Sequence, residues 1–370
     1  MQQDIETNRN RFSPGDDGSY VVMGVMGCTL AATVVAFLFR PGLVAPLLAA
    51  FLVSTAVGWL VAQAVVARAL GFVATVSTVL TVAFITYFLF VSAAPAFLEH
   101  GRGLFIIPVQ DGRVQWFFGL DAVLPTSDEY WNPAADAYSL IPAIWATVIV
   151  TVIAGSVAGP LGLFGALFIA EVASDGLRSV VKPGVEVLAG IPSIVYGFIG
   201  FQVLNGFVQN SFLDDGASYL IAGIVVGIMA LPTVVSVAED AISSVPGSMR
   251  DGSTALGATR WQTMKSISIP ASFSGVSAAV ILGLGRAIGE TMAVAAIMAS
   301  GTGLANPLYD VFDASVTLTS LIATQYGSAS ESTLDVLFAA GVLLFVIVAG
   351  MSVVSQAVER RMKRKLRGER

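Results

Sequence analysis

Two charged residues, Arg286 and Glu290, lie within an otherwise apolar segment near residues 273–300. An arginine inside a bilayer costs about 2.5–3.5 kcal/mol on insertion scales, so it faces protein or a water-filled path rather than lipid. On a continuous helix the i, i+4 spacing places both side chains on one face, within pairing distance. Arg286 would then offer a forked donor to a tetrahedral oxyanion, with Glu290 orienting it or accepting a hydrogen bond from the protonated anion. The alternative is an internal clamp that fixes helix packing.

The remaining residue types exclude most catalytic chemistry. One cysteine, Cys28, rules out a disulfide within the chain, and one histidine, His100, rules out a multi-histidine metal cluster. The chain has no G-x-x-x-x-G-K-[ST] motif, so ATP hydrolysis would need another polypeptide. The net charge of −6 argues against a nucleic-acid partner. We therefore expect a non-catalytic protein with no catalytic residues, no cofactor and no metal.

The elements that must hold the charged pair are membrane helices. The 370 residues are 55% hydrophobic and only 12% charged, with a mean hydropathy of +0.81, whereas soluble domains carry about 25% charged residues. A helix crosses the bilayer in about 20 residues, which predicts an all-α polytopic membrane protein with about eight transmembrane helices. The predicted spans lie near residues 21–39, 43–66, 72–95, 139–164, 186–208, 218–238, 273–300 and 334–357. A tight turn at Ala67–Gly71 should join the second and third spans.

The distribution of basic residues predicts the orientation. The densest basic run, Arg360 to Arg370, places the C-terminus in the cytoplasm, and eight spans place the N-terminus there too. We expect a multi-pass protein of the plasma membrane with both termini cytoplasmic. Residues 1–19 should form a disordered cytoplasmic tail, and residues 98–138 a long outer loop.

The cytoplasmic stretch from 239 to 272 is too long to be a simple connection. Pro246 and Gly247 indicate a turn, a helix is expected from about Ser248 to Leu256, and Gly257 should break it. A second helical segment should run from Trp261 to Ile267 and stop at Pro270, leaving Leu256, Trp261 and Met264 exposed or half-buried. We call residues 244–268 the elbow. The elbow could be a loop that packs on its own chain or a helix that docks into a groove of another protein.

Two prolines lie inside apolar spans and should kink them. They are Pro192 in GIPSIVYG and Pro232 in MALPTVV. Ser193 and Tyr196 supply polar groups beside the first kink, and the pattern leaves their role open.

The stretch 239–272, which contains the elbow, resembles the EAA loop of ABC-importer permeases. That family pattern is Glu-Ala-Ala, three residues, Gly, nine residues, Ile, one residue, Leu-Pro. Here Asp251-Gly252-Ser253, Gly257 and Ile267-Ser268-Ile269-Pro270 keep every spacing, with modest changes of residue type. In the family this loop is the helix that inserts into a cleft of the cytoplasmic ATPase. The resemblance implies ATPase coupling by Asp251, Gly252, Ser253, Leu256, Gly257, Ile267, Ile269 and Pro270.

Two further segments extend the resemblance. GLGRAIGETMAV, from Gly283 to Val294, and AGIPSIVYGFIGF, from Ala189 to Phe201, are similar to the PstC-type permease subunit of the phosphate-specific ABC importer. The similarity implies a six-helix type I, MetI-like permease core over residues 72–370, preceded by a two-span extension over residues 20–71.

That family's properties imply partners and a cargo. The chain would form half of a path for inorganic phosphate through the lipid bilayer, lined by Arg286, Glu290, Ser193 and Tyr196. Its partners would be a second homologous permease subunit in a heterodimer, a dimer of cytoplasmic ATP-binding subunits and an extracytoplasmic phosphate-binding protein. The alternatives are a permease for another oxyanion and an ion-coupled secondary transporter, which would favour several buried carboxylates.

Overall fold

The computed structural model describes residues 17–61, 63–105, 107–108, 126–127, 131–211, 217–298, 301, 303–305 and 307–366. Most of the predicted tail at 1–19 and most of the predicted outer loop therefore lie outside the described residues. Residues 17–19 are described and begin the first helix, so the prediction of disorder is wrong for them. The chain divides into two compact units, Met1–Phe88 and Leu89–Arg370.

The first unit contains a helical hairpin. Helix α1 (Asp17–Phe39) is followed by a 3-10 turn, Pro41–Leu43, and by α2 (Val44–Val61), which packs along α1. Helix α3 begins at Gln63 and continues to Glu99. The predicted turn at Ala67–Gly71 is wrong, because these residues lie inside α3. Ala, Arg and Leu are strong helix formers, and one charged residue does not end a helix.

The second unit contains the remaining helices. They are α4 (Ile141–Leu167), α5 (Asp175–Gly190), α6 (Ser193–Ile199), α7 (Gly206–Ser211), α8 (Tyr219–Ser243), α9 (Gly247–Ala255), α10 (Arg260–Thr263), α11 (Ile269–Ile288), α12 (Met292–Met298), α13 (Leu318–Gln325) and α14 (Glu331–Leu366). Three π-turns, Phe168–Val172, Gly200–Asn205 and Met264–Ser268, continue α4, α6 and α10. Short 3-10 turns lie at Gly101–Phe105, Pro133–Ala135 and Tyr326–Ser328.

Four two-residue strands form two small ladders in this unit. Strands β1 (Ile107–Pro108) and β2 (Thr126–Ser127) pair in parallel. Strands β3 (Trp131–Asn132) and β4 (Ala137–Tyr138) pair antiparallel, with Trp131 opposite Tyr138.

The core of the second unit is built from α4, α8 and α11, which pack against one another. Small residues allow this close approach. A Cβ added to Gly223 of α8 would lie 2.5 Å from the Ile153 Cβ of α4. Ala154, Ala222 and Ala279 are fully buried at the same contacts.

Within the described part of the chain, six helical segments are long and apolar enough to cross a membrane: Pro41–Leu60, Gln63–Glu99, Ile141–Val172, Tyr219–Ser243, Arg260–Ile288 and Glu331–Ala357. The pair α5 and α6 passes the same test together but is bent by 87°, and Met23–Phe37 is a shorter apolar helix. Each of the eight predicted segments falls on a helix, so the prediction of an all-α polytopic membrane fold is confirmed.

Two predicted spans are interrupted rather than continuous. The span at 186–208 breaks at Ile191 and Pro192, as the kink prediction required, because proline lacks a donor and disfavours helical geometry at the preceding residue. The span at 273–300 breaks between Ile288 and Met292, which the hydropathy pattern did not predict. Helix α8, by contrast, runs on through Pro232.

Candidate functional site

The first helix break is held together by Tyr196. Helix α5 ends at Gly190 and α6 begins at Ser193, a half-buried residue in the first turn. The Tyr196 hydroxyl of α6 donates a hydrogen bond to the Leu188 carbonyl of α5, at 3.0 Å. The same carbonyl also accepts the Ile191 N–H at 3.4 Å, so the tyrosine supplies it with a second donor from across the break.

The second break is stabilised by side chains on both sides. The Thr319 hydroxyl donates to the Glu290 carbonyl at 2.8 Å. A carboxylate oxygen of Glu290 accepts the Ala293 backbone N–H at 3.1 Å, at the start of α12. A negative charge is favourable there because it satisfies a free N–H and meets the positive end of the helix.

The resumed helices α6 and α12 pack directly against each other, so the two breaks are neighbours. A Cβ added to Gly197 would lie 2.7 Å from the Ala293 Cα, and one added to Gly200 would lie 2.7 Å from the Ile297 Cδ1. The Asn205 side-chain amide also donates to the Ile297 carbonyl at 3.0 Å. Only residues without a side chain permit this spacing at positions 197 and 200.

Arg286 lies in the last turn of α11, immediately before the second break, and its side chain is exposed. Its guanidinium is within electrostatic range of the Tyr196 hydroxyl. Among the described residues it makes no ion pair and no hydrogen bond through its side chain.

The predicted pairing of Arg286 with Glu290 is therefore wrong. It assumed a continuous helix, whereas α11 ends at Ile288 and the Glu290 carboxylate instead binds the Ala293 N–H. The structure thus places Arg286 immediately before the break that Glu290 caps, and Tyr196 at the other break. The result is an uncompensated cation on an open face, which suits a bound oxyanion through charge-assisted hydrogen bonds.

The elbow has the predicted helix–turn–helix form. Helix α9 spans Gly247–Ala255, and Gly257 has φ = +84°, a left-handed conformation that favours glycine. Thr259 then starts α10 with a capping box, in which the Gln262 side chain accepts the Thr259 N–H at 2.8 Å. Leu256 and Trp261 are 90% and 63% exposed.

Two expectations for the elbow are wrong. Met264 is buried, because it lies in the π-turn and packs against Ala166, Leu167 and Ile242. Pro270 does not end the helix, since Arg260–Ile288 forms one helical run. The π-turn at Met264–Ser268 widens the helix just before Pro270, which accommodates the ring and its missing donor.

The EAA-like residues spread over both arms of the elbow. Asp251 and Gly252 are exposed on α9, while the Ser253 hydroxyl lies 3.0 Å from the Thr263 hydroxyl of α10 and joins the two arms. Ile267 and Ile269 are half-buried at the start of the long helical run.

Sequence analysis did not single out two ion pairs at the ends of the spans. Lys182 of α5 binds the buried Glu239 of α8, with Nζ 2.6 Å from the carboxylate. Arg250 of the elbow lies 3.3 Å from Glu171 in the π-turn that ends α4. The signal was available, because both glutamates stand at the end of an apolar span and basic residues follow each of them.

Comparison with known proteins gives the family. The family model described as "Binding-protein-dependent transport system inner membrane component" matches residues 127–364. Among solved structures, a chain of the MetNI methionine ABC transporter is 19% identical, with a TM-score of 0.49 over 60% of this chain and 95% of that chain.

Curated relatives are more similar in sequence. "Probable ABC transporter permease protein YqgH" of Bacillus subtilis is 42% identical over 55% of this chain and 68% of that protein. "Phosphate transport system permease protein PstC" of Xylella fastidiosa is 33% identical, over 64% and 78%. "Probable phosphate transport system permease protein PstC" of Methanocaldococcus jannaschii is 32% identical, over 70% and 82%. The chain belongs to the family of binding-protein-dependent transport system inner membrane components and is a multi-pass transport permease.

Proposed function

We propose that this chain is the permease subunit of an ATP-driven phosphate importer and forms half of its translocation path. The similarity to two phosphate transport permeases supports the cargo. The main observation behind the proposal is the charge of Arg286. It is exposed, it makes no ion pair among the described residues, and it lies immediately before the second helix break. Phosphate is anionic at neutral pH and needs positive potential to enter a region of low dielectric constant.

The site residues take different roles in this proposal. Arg286 binds phosphate oxygens with its planar fork. Tyr196 would line the same path, because α6 packs against α12, which follows the break next to Arg286, and Ser193 stands three residues before it at the start of α6. Glu290 shapes the path indirectly, because it caps α12 and so fixes the break next to Arg286.

The proposal also includes partners. Because Arg286 points away from the core of its own chain, a second, homologous permease would close the path from the opposite side. The exposed Leu256 and Trp261 side chains of the elbow would dock into an ATP-binding subunit, where ATP is hydrolysed. An extracytoplasmic phosphate-binding protein would deliver the cargo to the outer face. Both termini would lie in the cytoplasm, with the chain in the cell membrane.

The test is transport by the assembled complex. The chain should co-purify with a homologous permease and an ATP-binding subunit, and vesicles holding this complex should take up labelled phosphate only when ATP is supplied. Unlabelled phosphate should compete, whereas sulfate should not. Uptake that sulfate suppresses equally would replace phosphate with a broader oxyanion cargo. Uptake by the purified chain without an ATPase would contradict the proposal.

A further inference from the structure

Arg250 connects the elbow to two spans at once. It lies on α9, within the elbow. Its Nη2 donates to the Ile242 carbonyl in the last turn of α8, at 2.7 Å. Its Nε lies 3.3 Å from the Glu171 carboxylate, in the π-turn at the end of α4. The elbow is already continuous with α8 at its start and with α11 at its end, so this one side chain adds a polar contact to α8 and links the elbow to α4, the third helix of the core.

The contact with Glu171 is close but incompletely aligned. The two side chains are only 24% and 14% exposed. Within the described part of the chain, Arg250 Nε and Glu171 Oε1 are both buried and neither has an aligned hydrogen-bond partner. Buried charged atoms without such a partner are unfavourable, so a small movement that aligns them lowers the free energy.

There is room for such a movement. A cleft of about 630 Å³ lies beside the pair, and Glu171, Arg178, Arg250 and Thr254 are among the residues that line it. Residues of the elbow and of the end of α4 line this cleft together, so there is space beside the pair into which the two side chains can move. We call the contact between Arg250 and Glu171, with the cleft beside it, the joint.

We propose that Arg250 is a positioning residue that transmits movement of the elbow to α4 and α8, by closing onto Glu171 when a docked ATPase displaces the elbow. This rests on the proposed function in one respect, that the elbow docks an ATPase. A coupling element of this kind needs two discrete arrangements that the distant event can bias, and the unaligned pair beside an open cleft supplies them. Arginine is required because its Nε and Nη2 reach two acceptors together, which the single ammonium of lysine does not.

The experiment measures the ratio of phosphate imported to ATP hydrolysed in the assembled complex. Arg250→Gln should lower this ratio by about fivefold or more, the low end of typical coupling free energies, while ATPase docking by co-purification is retained. Arg250→Lys should recover little. Glu171→Gln should lower the ratio as well, and the double variant should be no worse than Arg250→Gln, because the two residues act through one contact.

Arg178→Gln is the matched control. Arg178 donates hydrogen bonds to the Ile169 and Ala170 carbonyls of the same π-turn at 2.7–2.9 Å, but among the described residues its side chain forms no hydrogen bond with the elbow. It should lower thermal stability and leave the ratio unchanged. Equal loss of the ratio in Arg178→Gln and Arg250→Gln would reduce Arg250 to a structural role and overturn the proposal.

A second measurement does not depend on the cargo. Spin labels at Met249→Cys on α9 and Val152→Cys on α4, in a Cys28→Ser background, report whether elbow and span move together. Both positions are exposed. With the ATPase partner bound, nucleotide should shift the label distance in the wild type, and Arg250→Gln should change that shift. An identical shift in the wild type and in Arg250→Gln would overturn the proposed role of Arg250. Failure of wild-type phosphate uptake would instead count against the proposed function. The label distances would still test whether Arg250 couples movement of the elbow to α4.

Discussion

At the residue scale, the proposed transport path depends on the charge of Arg286. Arg286→Gln should abolish phosphate uptake, because glutamine keeps the hydrogen-bonding capacity but removes the positive potential. Arg286→Lys should recover little, since a point charge does not reproduce the planar fork. The measurement is ATP-dependent uptake of labelled phosphate, with ATP hydrolysis recorded in parallel. Wild-type uptake by Arg286→Gln, in a complex that still hydrolyses ATP, would exclude Arg286 from the path.

The neighbouring Glu290 should respond differently, and this contrast separates charge from structure. Glu290→Gln keeps an oxygen that can accept the Ala293 N–H, so uptake should fall only modestly. Glu290→Ala removes the cap, which costs about 0.5–2 kcal/mol, and should lower the thermal stability of the chain. A severe loss of uptake in Glu290→Gln, with stability unchanged, would mean that the carboxylate handles a proton.

At the element scale, the turn of the elbow depends on Gly257. Gly257→Val should abolish uptake and weaken ATPase docking, because a β-branched residue is strained at φ = +84°. Crowding is not the cause, since no atom lies within 4 Å of an added Cβ. Gly247→Ala is the control: its added Cβ also meets open space, and its φ is not left-handed. Uptake and co-purification with the ATPase subunit are the measurements. Normal uptake by Gly257→Val would remove the coupling role of the turn.

The contact between α6 and α12 gives a second prediction at this scale. Gly197→Ala should destabilise the chain and lower uptake, because the added Cβ would lie 2.7 Å from backbone of α12, which cannot move aside as a flexible side chain can. Gly184→Ala, in the middle of α5 with open space around it, should be neutral or stabilising by up to about 1 kcal/mol. Thermal unfolding of the two purified variants, compared with phosphate uptake, tests this. Equal melting temperatures would show that α6 and α12 are not held this closely.

The elements also show what the sequence can and cannot predict. Hydropathy predicted every apolar helix, and Pro192 and Gly257 predicted a break and a turn, because these signals are local. The break after Ile288 was missed because it is satisfied by Thr319, a residue far along the chain. The same holds for Arg250 and Glu171, whose contact depends on how α4 and the elbow pack. The spacing of Arg286 and Glu290 was informative, but the pairing inferred from it required a continuous helix through both residues. That helix in fact ends at Ile288, two residues before Glu290.

At the scale of the whole molecule, the family match and the proposed site lie in the same unit. Residues 127–364 match the family model, and both helix breaks and the elbow fall within that range. The first unit, Met1–Phe88, precedes this range in the sequence. Apart from Asp17, the described charges of that unit are Arg40 and Arg68, and its helices expose many large apolar side chains, such as Phe37, Leu60 and Phe72. Such a surface suits contact with lipid or with another membrane protein.

Removal of α1 and α2 should therefore affect assembly more than selectivity. A chain without residues 1–61 is cut between two helices, because α2 ends at Val61 and α3 begins at Gln63, so no helix is severed. It keeps Arg286, both breaks and the elbow. The yield of assembled complex and its melting temperature should fall, since the exposed apolar side chains of α1 and α2, such as Phe37 and Leu60, are no longer available for contact with another membrane protein. The ratio of phosphate uptake with and without excess sulfate should stay at the wild-type value, because no residue proposed to contact the cargo is removed. A changed ratio in the truncated protein would show that the first unit contributes to the path, and the assignment of selectivity to the neighbourhood of Arg286 would then be incomplete.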